Sequence, residues 1–223
     1  MKEISECLGV GRGVTAIIGG GGKTSLMYAL ARELRERGSV LVCTTTKILR
    51  PSRLPVLEAP SPAALKAALR EGPVCLGSPL PDGKLGAPAL PFSELEALAD
   101  FVLTEADGAK RLPVKAHAAW EPVIPAEARR TVLVVGADCF GMPIGRICHR
   151  PELFCERAQA RPEDPVTPEN LARVIRSEAY GNILYVNKAE TRQALEAARL
   201  LSALTELPAV AGSLWKGEWQ CLY

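Results

Sequence analysis

The sequence predicts an α/β protein built on a mainly parallel sheet of about seven strands. Two observations support this class. Short apolar segments typical of strands alternate along the chain with longer segments of helical periodicity, beginning with residues 14–18 and 23–37. Residues 131–136 are almost purely apolar, which is typical of a strand buried on both faces of a parallel sheet. No internal repeat or linker divides the sequence, so residues 1–223 are expected to form a single domain.

Periodicity, turn residues and capping residues give the order of the elements. Gly38 is expected to end the first helix in a left-handed conformation, and Ser93 with Glu96 has the spacing of a capping box. The predicted strands are residues 14–18, 40–43, 73–77, 100–104, 131–136, 182–186 and 208–211. The predicted helices are residues 23–37, 61–70, 93–99 and 167–177, and a last helix that ends near residue 204.

Composition and charge exclude several classes of protein. Hydrophobic content of 48%, charged content of 23% and a net charge of +2 are ordinary globular values and give no signal for nucleic-acid binding. No segment approaches the roughly 20 apolar residues of a membrane span, and a signal peptide is not expected. The seven cysteines include no C-x-x-C pair, so free thiols in the cytoplasm are expected.

The most informative segment follows the first predicted strand, where four glycines precede a lysine and a threonine. Glycines let backbone N–H groups turn toward one point, because no Cβ interferes. The next helix adds the N–H groups and the positive dipole of its N-terminus, so this segment predicts phosphate binding. Lys23 is expected to reach the terminal phosphates and the Thr24 hydroxyl to bind Mg²⁺. The predicted phosphate-binding residues are Gly19, Gly20, Gly21, Gly22, Lys23, Thr24 and Ser25.

This loop is two residues shorter than the usual G-x-x-x-x-G-K-[ST] pattern, whose first glycine would fall on Ile17. It reads G-x-x-G-K-T from Gly19, which resembles the compact loops of Mur-type ligases. Between a strand and a helix, the loop extends the fold prediction to a P-loop NTPase-like three-layer sandwich. A flexible glycine linker is the alternative, although linkers do not normally join a strand to an amphipathic helix.

Two carboxylates follow the strand predicted over residues 100–104. Glu105 and Asp107 share one strand face, and Mg²⁺ prefers one or two carboxylates together with phosphates and water. We therefore predict that both serve Mg²⁺ binding and catalysis beside Lys23. Asp107 would help Thr24 to hold the metal and Glu105 would orient the nucleophile, although the two roles remain interchangeable. A solvated Asp-Gly turn is the alternative.

Two further groups lie after predicted strands, where ligands of parallel sheets bind. Thr45 and Thr46 are expected to reach Mg²⁺ or the γ-phosphate, with strand propensity as the alternative explanation. Lys110 is expected to neutralise phosphate charge, with a solvated basic loop as the alternative.

The segment from Asn187 through Lys188 to Glu190 resembles the N-K-x-D base-recognition motif of GTPases, with Glu in place of Asp. A carboxylate there accepts both N1–H and N2–H of guanine, whereas adenine has no donor at N1. The alternative is that Asn187 caps the last helix. Gly212, after the last predicted strand, is expected to close over the base through main-chain contacts.

Cysteines and tryptophans give weaker signals. Four soft-ligand candidates for a metal or for selenium match no zinc spacing, so buried thiols are the favoured interpretation. Tryptophans are expected to pack in the protein rather than to stack on a base. The ligand candidates are Cys139, Cys148, His149 and Cys155, and the tryptophans are Trp120, Trp215 and Trp219.

Together these motifs resemble one family, the YqeC accessory proteins of selenium-dependent molybdenum hydroxylases. The resemblance implies a P-loop NTP-binding fold and a role in maturing selenium-containing molybdenum hydroxylases. It also implies such a hydroxylase, or its cofactor-assembly proteins, as partner. The segments that carry the resemblance are residues 18–25, 44–47, 104–111, 113–125, 149–152 and 187–190.

The main hypothesis is a Mg²⁺-dependent NTPase that couples hydrolysis of GTP or ATP to assembly of a molybdenum–selenium cofactor site. The choice between GTP and ATP is open, because Glu190 departs from the GTPase pattern. One alternative is an ATP-dependent transferase or ligase, in keeping with the short loop. Another is a nucleotide-switched chaperone or adapter that turns over negligibly on its own.

Overall fold

The computed structural model describes residues 2–222 and confirms an α/β fold with a mainly parallel, multi-stranded sheet. Its residues group into two compact units. Unit 1 comprises the described part of Met1–Ile17 together with Thr24–Gly108 and Val123–Thr131. Unit 2 comprises Ile18–Lys23, Ala109–Pro122 and the described part of Val132–Tyr223. The expectation of a single domain stays a prediction.

Strands and helices alternate along the chain, as the apolar periodicity predicts. The strands are β1 (Gly13–Gly19), β2 (Val40–Thr44), β3 (Lys47–Ile48), β4 (Val56–Leu57), β5 (Val74–Leu76), β6 (Ser78–Pro79), β7 (Leu85–Gly86), β8 (Phe101–Glu105), β9 (Val114–Lys115), β10 (Ala128–Gly136), β11 (Cys148–His149), β12 (Ile183–Asn187), β13 (Ala209–Ser213) and β14 (Glu218–Cys221). The helices are α1 (Ile4–Cys7), α2 (Lys23–Leu34), α3 (Pro62–Glu71), α4 (Phe92–Leu98), α5 (Ile144–Ile147), α6 (Pro151–Ala158), α7 (Pro168–Glu178) and α8 (Arg192–Thr205). A single 3₁₀ turn, Ala137–Cys139, follows β10 among the described residues.

Nine strands, where about seven were predicted, follow the order β14-β13-β12-β10 in unit 2 and β1-β8-β2-β5-β4 in unit 1. In unit 1, β8 pairs in parallel with β1 and β2, and β5 pairs in parallel with β2 and β4. In unit 2, β12 pairs in parallel with β10 and β13. Glu105, the last residue of β8, lies opposite Ile17 on one side and Thr44 on the other. The parallel register therefore brings three strand ends together around Glu105.

The edge strand β14 is antiparallel to β13 and was not predicted. Its side chains alternate between exposed and half-buried, so it has no apolar run that would mark a strand. The tight turn that joins it to β13 includes Gly217, whose φ is +70°.

The end of α2 differs from the sequence prediction. The helix ends at Leu34, and a turn follows in which the N–H groups of Arg37 and Gly38 donate to the Leu34 carbonyl at 2.9 and 3.1 Å. Gly38 is not among the residues with positive φ, so the predicted left-handed end is wrong. Glycine is required there for space, because a Cβ would lie 2.5 Å from Oδ2 of Asp100.

The predicted capping box of α4 is also wrong. The helix begins at Phe92, with Pro91 as N-cap and no side-chain capping bond, so Ser93 lies inside the first turn. Glu96 instead pairs with Arg129. The sequence spacing was suitable, but the helix begins two residues too early for Ser93 to cap it.

No helix within residues 2–222 is long and apolar enough to cross a membrane.

Replacing Gly38 tests the close approach to Asp100. The Asp100 carboxylate accepts hydrogen bonds from the backbone N–H and the hydroxyl of Ser39, at 2.8 and 2.9 Å from Oδ2. Gly38→Ala should push this carboxylate away and lower the free energy of unfolding by about 1–3 kcal/mol. Urea unfolding would show a lower midpoint at an unchanged slope.

Gly11→Ala is the matched control, because no atom lies within 4 Å of a Cβ there. It should change the free energy of unfolding by less than about 0.5 kcal/mol. Equal midpoints for the two variants would contradict the assignment.

Candidate functional site

The predicted phosphate loop connects β1 to the first residue of α2. Lys23 is 5% exposed, and its Nζ donates to the carbonyl of Gly19 at 2.7 Å. The side chain therefore folds back over the glycines and holds its ammonium at the start of the loop. A buried ammonium beside the N-terminus of a helix forms an electropositive centre that suits an anion.

The glycines are required by close backbone packing in unit 2. A Cβ on Gly19 would lie 2.3 Å from the Val134 carbonyl, and one on Gly21 would lie 2.2 Å from the backbone nitrogen of Gly136. Both glycines have positive φ, at +92° and +79°. Larger residues at these positions would displace the loop from the end of β10.

Two loop N–H groups already have protein partners. Gly20 donates to the Val134 carbonyl at 2.9 Å, and Gly21 donates to the Leu112 carbonyl at 3.0 Å. These bonds narrow the sequence prediction, in which all four glycines offered N–H groups to phosphates. Gly22 and the first turn of α2, where Thr24 and Ser25 are exposed, stay the main-chain candidates for phosphate contact.

Thr24 and Glu105 lie together in unit 1, where the Thr24 hydroxyl donates to Oε2 of Glu105 at 3.2 Å. Glu105 is 8% exposed. The sequence left the roles of Glu105 and Asp107 interchangeable, and the observed hydrogen bond joins Thr24 to Glu105. Asp107 follows two residues later and is fully buried.

The threonines after β2 are tied to the backbone of Glu105. The Thr44 hydroxyl and the Thr45 N–H donate to the Glu105 carbonyl at 2.8 and 3.1 Å. The Thr46 N–H donates to the Thr44 hydroxyl at 3.0 Å. Oγ1 of Thr45 is buried without a hydrogen-bond partner among residues 2–222. This set of oxygen atoms fits a hard cation, because Mg²⁺ prefers oxygen ligands.

Within residues 2–222, no group of three or more His, Cys, Asp or Glu residues could hold a metal ion. Any Mg²⁺ would therefore need ligands besides the protein carboxylates. This agrees with the usual manner of Mg²⁺ binding, through one or two carboxylates together with phosphate oxygens and water.

Asn187 connects three segments of unit 2 and does not cap α8. Its Nδ2 donates to the Gly21 carbonyl at 2.8 Å, and its Oδ1 accepts from the Leu214 N–H at 3.3 Å and the Tyr185 hydroxyl at 3.2 Å. The N-cap of α8 is Thr191. Asn187 therefore holds the phosphate loop and the turn after β13 in place, and its amide is largely occupied by the protein.

Glu190 is exposed and lies beside the turn after β13. The Ser213 hydroxyl donates to its Oε1 at 2.7 Å, and the Lys216 ammonium lies 3.5 Å from its Oε2. The hydrogen bond from Ser213, with a smaller contribution from Lys216, lowers the pKa of the Glu190 carboxyl. The group is therefore held as a carboxylate, which is the form that accepts hydrogen bonds from a base.

Gly212 and Lys188 complete this region. Ala189 donates its N–H to the Gly212 carbonyl at 3.0 Å, and a Cβ on Gly212 would lie 2.1 Å from the Glu218 carbonyl. Lys188 has a left-handed backbone with φ of +61° and pairs with Asp138 at 2.6 Å. Gly212 is thus required for packing beside β14, and the side chain of Lys188 reaches the turn after β10.

Basic residues after the carboxylates divide into two kinds. Lys110 is exposed and has a left-handed backbone with φ of +48°. Lys115 is buried and pairs with Glu121 at 2.6 Å, and Arg150 pairs with the same Glu121 oxygen. Lys115 therefore stabilises the segment between β9 and Glu121, whereas Lys110 remains a candidate for phosphate contact.

Among the soft-ligand candidates, Cys139 and Cys148 are buried free thiols and Cys155 is half-buried. Burial raises the pKa of Cys148 to about 12, and it raises the pKa of Cys139 and Cys155 as well. Thiols that stay protonated are poor metal ligands and poor nucleophiles. His149 pairs in β11 with Lys115 of β9. The interpretation of these residues as buried cysteines holds for Cys139 and Cys148 but not for Cys155.

Some contributors were missed by the sequence reasoning. Tyr185 and the backbone of Leu214 hold Asn187, and Lys216 pairs with Glu190. Two of the tryptophans predicted to pack are instead exposed, Trp120 by 74% and Trp215 by 93%. Tyr185 lies in the apolar strand β12, two residues before Asn187. Its apolar surroundings in the sequence gave no signal that its hydroxyl would donate to Asn187. The other contributors lie in a turn that depends on the unpredicted strand β14.

Comparison with known proteins shows the family to which this chain is similar. A family model described as YqeC protein matches residues 15–152, which include the phosphate loop, Glu105 and Asp107. The chain is also 28% identical over 228 residues to a protein of Escherichia coli (strain K12) named "Uncharacterized protein YqeC". That alignment covers 93% of this chain and 88% of the relative. The chain belongs to the YqeC family.

Proposed function

We propose that the protein binds a purine nucleoside triphosphate with Mg²⁺ in a P-loop NTPase-like site and hydrolyses it. The observation that carries the proposal is the buried Lys23 ammonium, which donates to the Gly19 carbonyl at 2.7 Å above the glycine loop. The positive charge of Lys23 at the N-terminus of α2 supports the terminal phosphates as the ligand of this loop.

The phosphates would bind through few donors in this compact loop. The N–H groups of Gly20 and Gly21 donate to protein carbonyls. Gly22 and the first turn of α2 would therefore supply the main-chain hydrogen bonds to the phosphates. The Lys23 ammonium adds a charge-assisted bond, the stronger kind. The two occupied glycines would keep the loop ordered before the nucleotide arrives.

The oxygen atoms around Glu105 support Mg²⁺ as the partner of the phosphates. Thr24 and Glu105 would hold the ion, with Thr45 nearby as a further hydroxyl. When bound, Mg²⁺ would neutralise phosphate charge. Because Thr24 is the next residue after Lys23, a metal held by Thr24 would adjoin the phosphate loop.

We assign the two carboxylates different tasks. Glu105 would serve the metal, because its Oε2 accepts from the Thr24 hydroxyl. Asp107 would orient the attacking water, and its full burial would limit competing solvent. A slow rate without a partner is expected if a missing cationic group comes from another protein, since such a group contributes on the order of 10³–10⁵ in rate.

Glu190 supports guanine as the base. Its carboxylate is held ionised by Ser213 and would accept N1–H and N2–H of guanine. Lys216 would have to share Glu190 with the base, since it lies 3.5 Å from Oε2. Asn187 would act indirectly, because its amide already joins the Gly21 carbonyl to the Leu214 N–H.

The resemblance of the sequence motifs supports a cellular role for this nucleotide site. We propose that nucleotide turnover serves the maturation of selenium-dependent molybdenum hydroxylases in the cytoplasm. The hydroxylase, or a protein that assembles its cofactor, would be the partner. ATP-dependent transfer to an acceptor would differ from this proposal in requiring a second substrate for turnover.

Replacing Lys23 tests the phosphate loop. Lys23→Ala removes a charge-assisted bond to the phosphates and should weaken binding of a non-hydrolysable GTP analogue with Mg²⁺ by roughly 10- to 100-fold. Titration calorimetry measures the affinity. Lys66→Ala, at an exposed position of α3, is the control and should bind as the parent protein does. Parental affinity in a folded Lys23→Ala variant would disprove the loop assignment.

Replacing Glu105 tests the metal. Glu105→Gln keeps an acceptor for Thr24 but removes the charge. The gain in affinity for the analogue that Mg²⁺ produces should therefore be about tenfold smaller in this variant than in the parent protein. Phosphate release from GTP, measured without any second substrate, should fall by about 100-fold or more. Glu94→Gln on the exposed side of α4 is the control. An unchanged response to Mg²⁺ would remove Glu105 from the metal site.

Replacing Glu190 tests the base. The parent protein should bind a GTP analogue more tightly than the matching ATP analogue, and Glu190→Ala should reduce this preference by about tenfold or more, because the carboxylate discriminates by its hydrogen bonds. Glu196→Ala, at an exposed position of α8, is the control. Competition titrations with both analogues measure the ratio. A parent protein that prefers ATP would contradict guanine recognition and favour ATP-dependent chemistry.

A further inference from the structure

Trp215 is the most exposed of the large hydrophobic side chains in the described chain, with 93% of its surface open. It lies in the four-residue turn between β13 and β14. Leaving so large an apolar ring in water forfeits the free energy that burial would give. At this exposure the ring is available for contact with a ligand.

The turn is fixed on both sides of Trp215. On one side, the Leu214 N–H donates to Oδ1 of Asn187 at 3.3 Å. On the other side, the Lys216 N–H donates to the Ser213 hydroxyl at 3.2 Å. The backbone that carries the ring is therefore preorganised, so little conformational entropy would be lost when the ring contacts a ligand.

The same turn carries the carboxylate partner of the proposed base. Ser213 donates to Oε1 of Glu190 at 2.7 Å, and Lys216 lies 3.5 Å from Oε2. Only Leu214 lies between Ser213 and Trp215, which limits the distance between their Cα atoms to about 7 Å. The indole therefore projects from a point close to Glu190.

A carboxylate and an aromatic ring recognise different parts of a base. The carboxylate accepts hydrogen bonds from the edge of guanine, in the plane of the ring. An aromatic side chain covers the face, and this stacking tolerates any base because every base has a π-face. Together the two groups would supply specificity from the edge and affinity from the face.

We propose that Trp215 stacks on the base of the bound nucleotide while Glu190 reads its edge. The inference rests on the proposed nucleotide function and adds a second determinant to the same site. Glu190 sets the preference for guanine, and Trp215 raises the affinity for both purine nucleotides. A ligand that carries the triphosphate without a base gains nothing from Trp215.

The test compares two ligands and three variants by calorimetry with Mg²⁺. The ligands are a non-hydrolysable GTP analogue and inorganic tripolyphosphate. Trp215→Ala should weaken binding of the GTP analogue by about tenfold and leave tripolyphosphate binding unchanged. Trp215→Phe should restore most of the loss, because phenylalanine keeps an aromatic face. Trp120→Ala is the control, since Trp120 is 74% exposed but lies outside the turn.

The outcomes separate this inference from the proposed function. If the parent protein binds the GTP analogue and Trp215→Ala binds it equally well, the stacking role is wrong and the nucleotide function stands. Equal losses for the analogue and for tripolyphosphate would also overturn stacking, because they would show a general disturbance of the loop. If the parent protein binds neither ligand, the nucleotide function itself fails, and the inference fails with it.

Discussion

The side-chain amide of Asn187 is the interaction on which the candidate site depends. It donates to the Gly21 carbonyl in the phosphate loop and accepts from the Leu214 N–H in the turn after β13. Both partners are main-chain groups, so the amide fixes the backbone of two segments that are far apart in sequence. Without it, a buried carbonyl would lack a donor, which typically costs about 1–3 kcal/mol. Order in the loop and order in the turn are therefore linked through one side chain.

This linkage explains how a loop two residues shorter than the usual pattern can still be well ordered. Gly20 and Gly21 give their N–H groups to carbonyls of neighbouring segments, and the Gly21 carbonyl receives the amide of Asn187. A longer loop would wrap around the phosphates and use more of its own N–H groups for them. The compact loop instead fixes its backbone through the protein, and the proposed phosphate binding would rest on Gly22, Lys23 and the helix N-terminus.

The sequence predicted features that depend on residues close together in the chain. It missed features that depend on contacts between residues distant in the chain. The seven predicted strands and the N-capped helices α3 and α7 follow from periodicity and from local residue types, and each corresponds to an element of the structure. The predicted role of Gly38 was wrong, because the glycine is required by its close approach to Asp100, which is distant in sequence. Likewise, the partner of the Asn187 amide could not be read from the motif, since the same residue type suits a helix cap equally well.

The tryptophans show the same limit and give it a functional meaning. Composition favours burial of a tryptophan, since the ring gains more from burial than almost any other side chain. Trp215 departs from that rule in the four-residue turn that joins β13 to its antiparallel partner β14. The hydrogen bonds of that turn converge on Asn187 and Glu190, the residues that the sequence selected for base recognition. Predictions from residue type are expected to fail mainly at functional or strained sites. The wrong prediction that Trp215 is packed lies beside the motif of Asn187 and Glu190, and it therefore supports the proposed binding role of this turn.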